Sequence, residues 1–215
     1  KLLAENSPKN LNTVYITNSG TEATEGALKL AKRATNRAEI IAAKNSYHGN
    51  TMGAMSVSGV EKQNAAFRPL VPGTKFIVFN DPTDLHKITT KTAAVILETI
   101  QGGAGFIIPK NDFLSKVKER CQEVGALLIL DEIQTGIGRT GTFWGFENYQ
   151  VIPDIIITGK GLGGGMPIGA FIASFEKMSL LKVNPKLGHI STFAGHPIIS
   201  AASAATVKEI TNSNL

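Results

Sequence analysis

The chain has 215 residues, 42% of them hydrophobic and 18% charged, a balance that suits a soluble protein with a packed core and excludes a low-complexity or disordered chain. Its formal charge of +5 comes from scattered lysines, with no basic block and no interleaved aromatics, so nucleic acid is not the expected partner. No apolar run has the length of a membrane span and nothing at the start resembles a signal peptide; the single cysteine, Cys121, permits no internal disulfide and suits a reducing cytoplasm.

Residues 11–17 predict a strand, and the Ala- and Leu-rich residues 23–33 predict a helix. Between them Ser19 and Glu22 have the spacing of a capping box. Gly20 and Thr21 then fall in the first turn, where free N–H groups and the helix dipole face outward; such a terminus serves as a plain cap or as a phosphate site. Residues 39–44 form a second short strand, followed by Tyr47-His48-Gly49, where Tyr47 either stacks on a flat ligand or packs over a turn. His48 is expected as a turn residue. Residues 59–72 read as irregular, residues 75–79 as a strand, and Pro82 as the opening of a short helix.

Residues 93–97 are a buried strand that ends in Glu98. Residues 111–124 predict an amphipathic helix with Phe113, Leu114, Val117, Cys121 and Val124 as its apolar stripe and Gly125 as its stop. On that stripe Cys121 is a small core residue, not a reactive thiol. The next buried strand, residues 126–130, ends in Asp131-Glu132-Ile133-Gln134, again an acid at the edge where ligands bind. Residues 136–141 match G-x-G-x-x-G, but Asp131 to Thr135 separate strand from glycine and no helix follows, which excludes the dinucleotide fingerprint.

The run Ile155-Ile156-Ile157 does not alternate and reads as a fully buried strand. Beyond it Thr158-Gly159-Lys160 enters a bed of glycines. Lys160 there is either a surface lysine in a flexible loop or an accessible amine that condenses with a carbonyl, a Schiff-base lysine. Residues 168–174 are a further strand, residues 189–197 a loop, and Pro197 opens an Ala-rich helix to about Glu209. The alternation of strands and helices predicts an α/β three-layer fold with a mostly parallel central sheet. The four histidines have no metal-ligand spacing, so no metal site is expected.

Three strand-end features belong together: a lysine, an acid and a phosphate-ready helix terminus. Pyridoxal phosphate needs all three, an amine for its aldehyde, a carboxylate that keeps its pyridine nitrogen protonated, and N–H groups for its phosphate. The motifs Asn18-Ser19-Gly20-Thr21-Glu22-Ala23, Ser46-Tyr47-His48-Gly49, Leu130-Asp131-Glu132-Ile133-Gln134-Thr135-Gly136-Ile137-Gly138-Arg139-Thr140-Gly141, Thr158-Gly159-Lys160-Gly161-Leu162-Gly163-Gly164-Gly165 and Ser191-Thr192-Phe193 stand in the right order, and from about Leu11 onward the sequence resembles the class III aminotransferases of fold type I.

The resemblance implies that Lys160 holds pyridoxal 5'-phosphate and later moves the substrate proton, and that Asp131 pairs with the ring nitrogen. It implies that Ile133 and Tyr47 cover the two ring faces, that Gln134 reaches the ring hydroxyl, that Glu98 sits beside the cofactor, and that Gly20 and Thr21 hold the phosphate. Thr192 would reach the phosphate from a second subunit of a homodimer. Residues 1–215 would be the large cofactor domain, with small-domain segments expected before Lys1 and after Leu215. The implied activity is amino transfer between an amino acid or ω-amino donor and a 2-oxo acid. An aminomutase, decarboxylase or racemase of the same group remains open, and a nucleotide-binding or non-catalytic domain is the alternative outside it. Gly103 departs from the ornithine-type pattern, which has a second glutamate there that gates a carboxylate-binding arginine. Thr99 replaces a proline, and Ala194 and His196 replace a glycine and an asparagine. That arginine is expected beyond Leu215, since none follows Arg139.

Overall fold

The computed structural model describes residues 1–213. Seven strands make one sheet: β1 (Thr13–Thr17), β2 (Glu39–Ala43), β3 (Thr74–Ile77), β4 (Thr92–Glu98), β5 (Leu127–Asp131), β6 (Ile155–Thr158) and β7 (Gly169–Ala173). Their order across the sheet is β1-β7-β6-β5-β4-β2-β3. β7 runs antiparallel to both of its neighbours, β1 and β6, and every other pairing is parallel. The helices are α1 (Leu2–Glu5), α2 (Gly20–Thr35), α3 (Met52–Ser56), α4 (Glu61–Asn64), α5 (Phe113–Val124), α6 (Phe175–Ser179) and α7 (Pro197–Asn212).

The unbroken apolar runs have a direct cause. Successive strand side chains point to opposite faces, and both faces are covered. Ile41, Val95, Leu128, Leu130 and Ile156 pack on one side with Phe113, Val117 and Cys121 of α5. Ile40, Ile96, Ile129, Ile155 and Ile157 pack on the other with Ala27 and Leu30 of α2. This is the three-layer architecture that the strand–helix alternation predicts.

Helix α2 approaches the sheet closely because its inner face is thin. A Cβ on Gly26 would lie 2.3 Å from Cε1 of Phe171 on β7, and Ala23, Ala27 and Ala31 continue the same buried face. The helix starts at Gly20, three positions before its apolar pattern begins, because Ser19 caps it. The Ser19 side chain accepts from the Glu22 N–H at 3.3 Å, and the Glu22 carboxylate accepts from the Asn18 N–H at 2.8 Å.

Several short elements differ from the sequence expectation. The stretch 59–72 contains α4 and a 3-10 turn, Ala65–Phe67, and α3 and α6 arise where no periodic window predicts a helix. α5 buries the five residues of the expected stripe. Burial pushes the Cys121 thiol up to about 12, so it stays protonated and unreactive. Folded protein at pH 8 is therefore expected to resist a thiol-labelling reagent that modifies the denatured chain promptly; fast labelling of the folded form would contradict this packing.

Candidate active site

Parallel pairing places the ends of β4, β5 and β6 side by side. Glu98 lies opposite Asp131, and Asp131 opposite Ile157; Lys160 follows two residues after β6 ends. Beyond these ends lies a cleft of about 340 Å3, lined by Gly20, Thr21, Tyr47, Glu98, Asp131, Ile133, Gln134 and Lys160. Eight of the nine expected site residues thus meet in one place. Thr192 does not line the cleft; it is exposed on the loop that precedes α7.

Asp131 is almost fully buried, and each carboxylate oxygen has a partner. Oδ2 lies 2.7 Å from Nδ1 of His48, and Oδ1 accepts the N–H of Ile133 at 3.0 Å. His48 is therefore no mere turn residue. It is itself buried, and its backbone N–H donates to Ser58 Oγ at 2.9 Å while its carbonyl accepts from Thr24 Oγ1 at 2.9 Å. Its Nε2 has no hydrogen-bond partner among the described residues.

Two further acids flank this pair. Glu98 accepts the N–H groups of Tyr47 and Gly102 at 3.2 and 3.1 Å, and burial holds its carboxyl above the usual range. Glu132 points away from the cleft into the interior. It accepts the N–H groups of Gly145 and Phe146 at 2.7 and 3.0 Å and the Thr99 hydroxyl, yet burial still pushes it up to about 7. Glu132 thereby anchors the far end of the loop 132–146, which carries Ile133, Gln134 and Arg139. Residues 136–141 of that loop lead into a 3-10 turn, Gly145–Tyr149, which is not the strand–turn–helix of a dinucleotide site.

Lys160 opens a 3-10 turn, Lys160–Gly163, with φ +41°, in the left-handed region that is costly for a residue with a side chain. Its amine donates to Oε1 of Gln134. Gly159 brings this turn against α2, since a Cβ there would lie 3.4 Å from the Cα of Gly20.

The helix terminus is bare by construction. The N–H groups of Gly20 and Thr21 are in the first turn, where a helix offers no internal acceptor. A Cβ on Gly20 would stand 2.7 Å from Cδ1 of Ile133. Gly49, at φ +128°, packs on Thr21, with an added Cβ only 2.3 Å from its Oγ1. The Thr21 hydroxyl lies 3.0 Å from that of Thr51 and accepts the Thr51 N–H at 3.3 Å, while Thr51 donates to Glu25. Thr51 and Glu25, like His48, escaped sequence reasoning, although the G-N-T run after His48 hints at a second loop on the same terminus.

The family model for class III aminotransferases matches residues 1–215. The chain belongs to that family. Among its relatives, the acetylornithine aminotransferase of Methanopyrus kandleri is 45% identical over 216 residues, covering 100% of this chain and 55% of the relative. The putrescine aminotransferase of Pectobacterium atrosepticum is 44% identical, covering 100% of this chain and 48% of the relative. The chain thus spans about half the length of the curated relatives it matches. The ornithine aminotransferase of Toxoplasma gondii, whose structure has partial occupancy of pyridoxal phosphate at its active site, superposes with a TM-score of 0.88 at 33% identity, over 94% of this chain and 50% of that one.

Two outcomes follow for this class III site. A raised carboxyl favours folding at low pH: the contribution of Glu132 is complete below 4.5, its unfolded value, and is lost as pH rises through about 7. Stability is therefore expected to fall across that window by up to roughly 3 kcal/mol from this group, and Glu132→Gln should flatten the slope in thermal melts taken from pH 4.5 to 8. Replacing His48 with alanine leaves a buried oxygen of Asp131 without its partner. A cost of about 1–3 kcal/mol is expected in denaturant unfolding, and an unaltered midpoint would show that the pair is not formed.

Proposed function

We propose that this protein is a pyridoxal phosphate-dependent aminotransferase that moves an amino group from an amino acid or ω-amino donor to a 2-oxo acid. The observation that carries the reading is the meeting of Lys160, Asp131 and the bare first turn of α2 in one cleft. The residues present fit the cofactor. The N–H groups of Gly20 and Thr21 open the first turn of α2 on the cleft, Tyr47 and Ile133 offer two apolar walls for a flat ring, and Asp131 supplies a held acceptor. When bound, the cofactor supplies an aldehyde for the amine and a ring that withdraws electrons from the reacting carbon.

Each residue has a task that its surroundings make feasible. Asp131 would pair with the ring nitrogen, its carboxylate held in place because His48 and the Ile133 N–H fix both oxygens. Gly20 and Thr21 hold the phosphate through backbone donors at the positive end of α2. Tyr47 and Ile133 would exclude water from the ring faces, and Gln134 would orient the ring hydroxyl. Glu98, raised by burial, sits beside them with its two oxygens held by the N–H groups of Tyr47 and Gly102. Lys160 would hold the cofactor through its amine, and the same amine is the group at hand to move a proton at the substrate carbon.

Residues 1–215 act in this reading as the large cofactor domain of a homodimer. Thr192, on an exposed loop with Leu187, Ile190, Phe193 and Ile198 also exposed around it, reaches the phosphate of a second copy. The buried thiol of Cys121 suits the cytoplasm, and no helix among the described residues is long and apolar enough to cross a membrane. The relatives' names cover a donor with a carboxylate, acetylornithine, and one without, putrescine, so the names alone leave the donor open.

Borohydride reduction of the cofactor-loaded protein is expected to fix the cofactor's mass on the peptide containing Lys160, and Lys160→Ala to abolish both that mass and the near-ultraviolet absorption band. Covalent labelling that survives Lys160→Ala would refute the assignment. Protein treated with an amino donor alone should release pyridoxamine phosphate on denaturation; a racemase or decarboxylase mostly would not.

A further inference from the structure

Thr21 lines the cofactor cleft, whereas the two residues that govern its hydroxyl, Thr51 and Glu25, do not. Glu25 stands one turn further along the same face of α2, and Thr51 immediately precedes α3, in the loop laid across that face. The Thr51 hydroxyl donates to Oε1 of Glu25 at 2.5 Å, and the same oxygen accepts the N–H of Ala54 at 3.1 Å. The hydroxyl oxygens of Thr21 and Thr51 lie 3.0 Å apart, and the Thr51 N–H donates to the Thr21 oxygen at 3.3 Å. A carboxylate only accepts, and a hydroxyl has one proton to give. The Thr51 proton is therefore spent on Glu25, and the proton between the two hydroxyls belongs to Thr21. The relay runs one way, from Thr21 to Thr51 to Glu25.

The closeness of these groups is built in. Gly49 and Gly53 stand on either side of Thr51. A Cβ on Gly49 would lie 2.3 Å from the Thr21 hydroxyl oxygen, and one on Gly53 2.3 Å from Oε2 of Glu25, so a side chain at either position would hold the loop off α2. The Thr51 side chain makes no hydrogen bond that caps α3, and its hydroxyl is not needed by the helix it precedes. What it does is occupy the proton that Thr21 would otherwise offer. An anion arriving at the first turn of α2 meets the N–H groups of Gly20 and Thr21 but, at the Thr21 side chain, a lone pair. Turning the Thr21 proton to the anion would strip Thr51 of its donor while Thr51 stays committed to Glu25, which offsets the gain of the new bond.

We propose that Thr51 and Glu25 are positioning residues that keep the Thr21 hydroxyl turned from the phosphate, so that α2 holds the cofactor through its backbone N–H groups alone and releases it more readily than an unengaged threonine there would. On the aminotransferase reading, on which this inference rests, deleting a polar group beside the phosphate should therefore tighten its binding.

The test starts from the cofactor-loaded full-length protein, stripped by dialysis and titrated with pyridoxamine phosphate, with pyridoxamine and with inorganic phosphate. The first two differ only in the phosphate, and neither condenses with Lys160. Thr51→Val keeps the shape of the side chain and removes the relay. It should lower Kd for pyridoxamine phosphate about fivefold, tighten inorganic phosphate by a similar factor and shift the phosphorus NMR signal of the bound ligand. Pyridoxamine binding should stay as in the wild type, which shows the cleft intact. Adding Thr21→Val to Thr51→Val should remove the gain. Glu25→Gln, whose amide oxygen still accepts from Thr51 and Ala54, removes the charge and keeps the relay, so its effect should be smaller. An unchanged or higher Kd for pyridoxamine phosphate in Thr51→Val overturns the proposal. A gain of equal size in Glu25→Gln also overturns it, since charge alone would then account for the effect. Tighter inorganic phosphate in Thr51→Val, in a protein that takes up neither pyridoxamine phosphate nor pyridoxamine, would overturn the aminotransferase reading and leave the relay standing.

Discussion

A carboxylate buried at the end of an apolar strand persists only if its charge is answered on the spot, and the surroundings of Asp131 are organised by that demand. One oxygen is met by the ring of His48 and the other by the backbone of Ile133. His48 is in turn fixed by Ser58 and by Thr24 of α2. The end of β5, the loop after β2 and the first turns of α2 are therefore tied through one acid. The cleft is the space those ties leave open.

The three acids at this edge show how place decides chemistry. Glu98 and Asp131 are register partners at the ends of adjacent strands, yet Asp131 has an imidazole and Glu98 only two backbone N–H groups. Glu132, one residue on, points the opposite way and holds a loop in place of a ligand. Alternation along the strand, the same rule that divides the isoleucines between two cores, sends neighbouring carboxylates to different duties.

Much of this was legible in the sequence, and the reasons are local. The apolar runs that end in Glu98, Asp131 and Thr158 mark strand ends, and in a parallel sheet strand ends converge, so Asp131 and Lys160 could be placed together without coordinates. The stripe of α5 and the cap at Ser19 were equally plain. What escaped depends on distance or brevity. A fully buried strand reads the same in either direction, so the reversal of β7 leaves no trace in residues 169–173. Helices of four or five residues such as α3 and α6 are too short for a periodic pattern. The task of His48 is set by a carboxylate 83 positions away, and Thr51 meets Thr21 and Glu25 only when the loop after β2 folds across α2.

The contact between Gly20 and Ile133 joins the two ends of the cleft into one mechanical part. Gly20 belongs to the helix terminus and Ile133 to the wall beside Asp131, and there is no room between them for even a methyl group. A larger residue at position 20 would push Ile133 inward, and a bulkier one at 133 would lift the first turn of α2. The height of the first turn of α2 and the position of the Ile133 wall are thus one adjustment, so a change at either position is felt at the other.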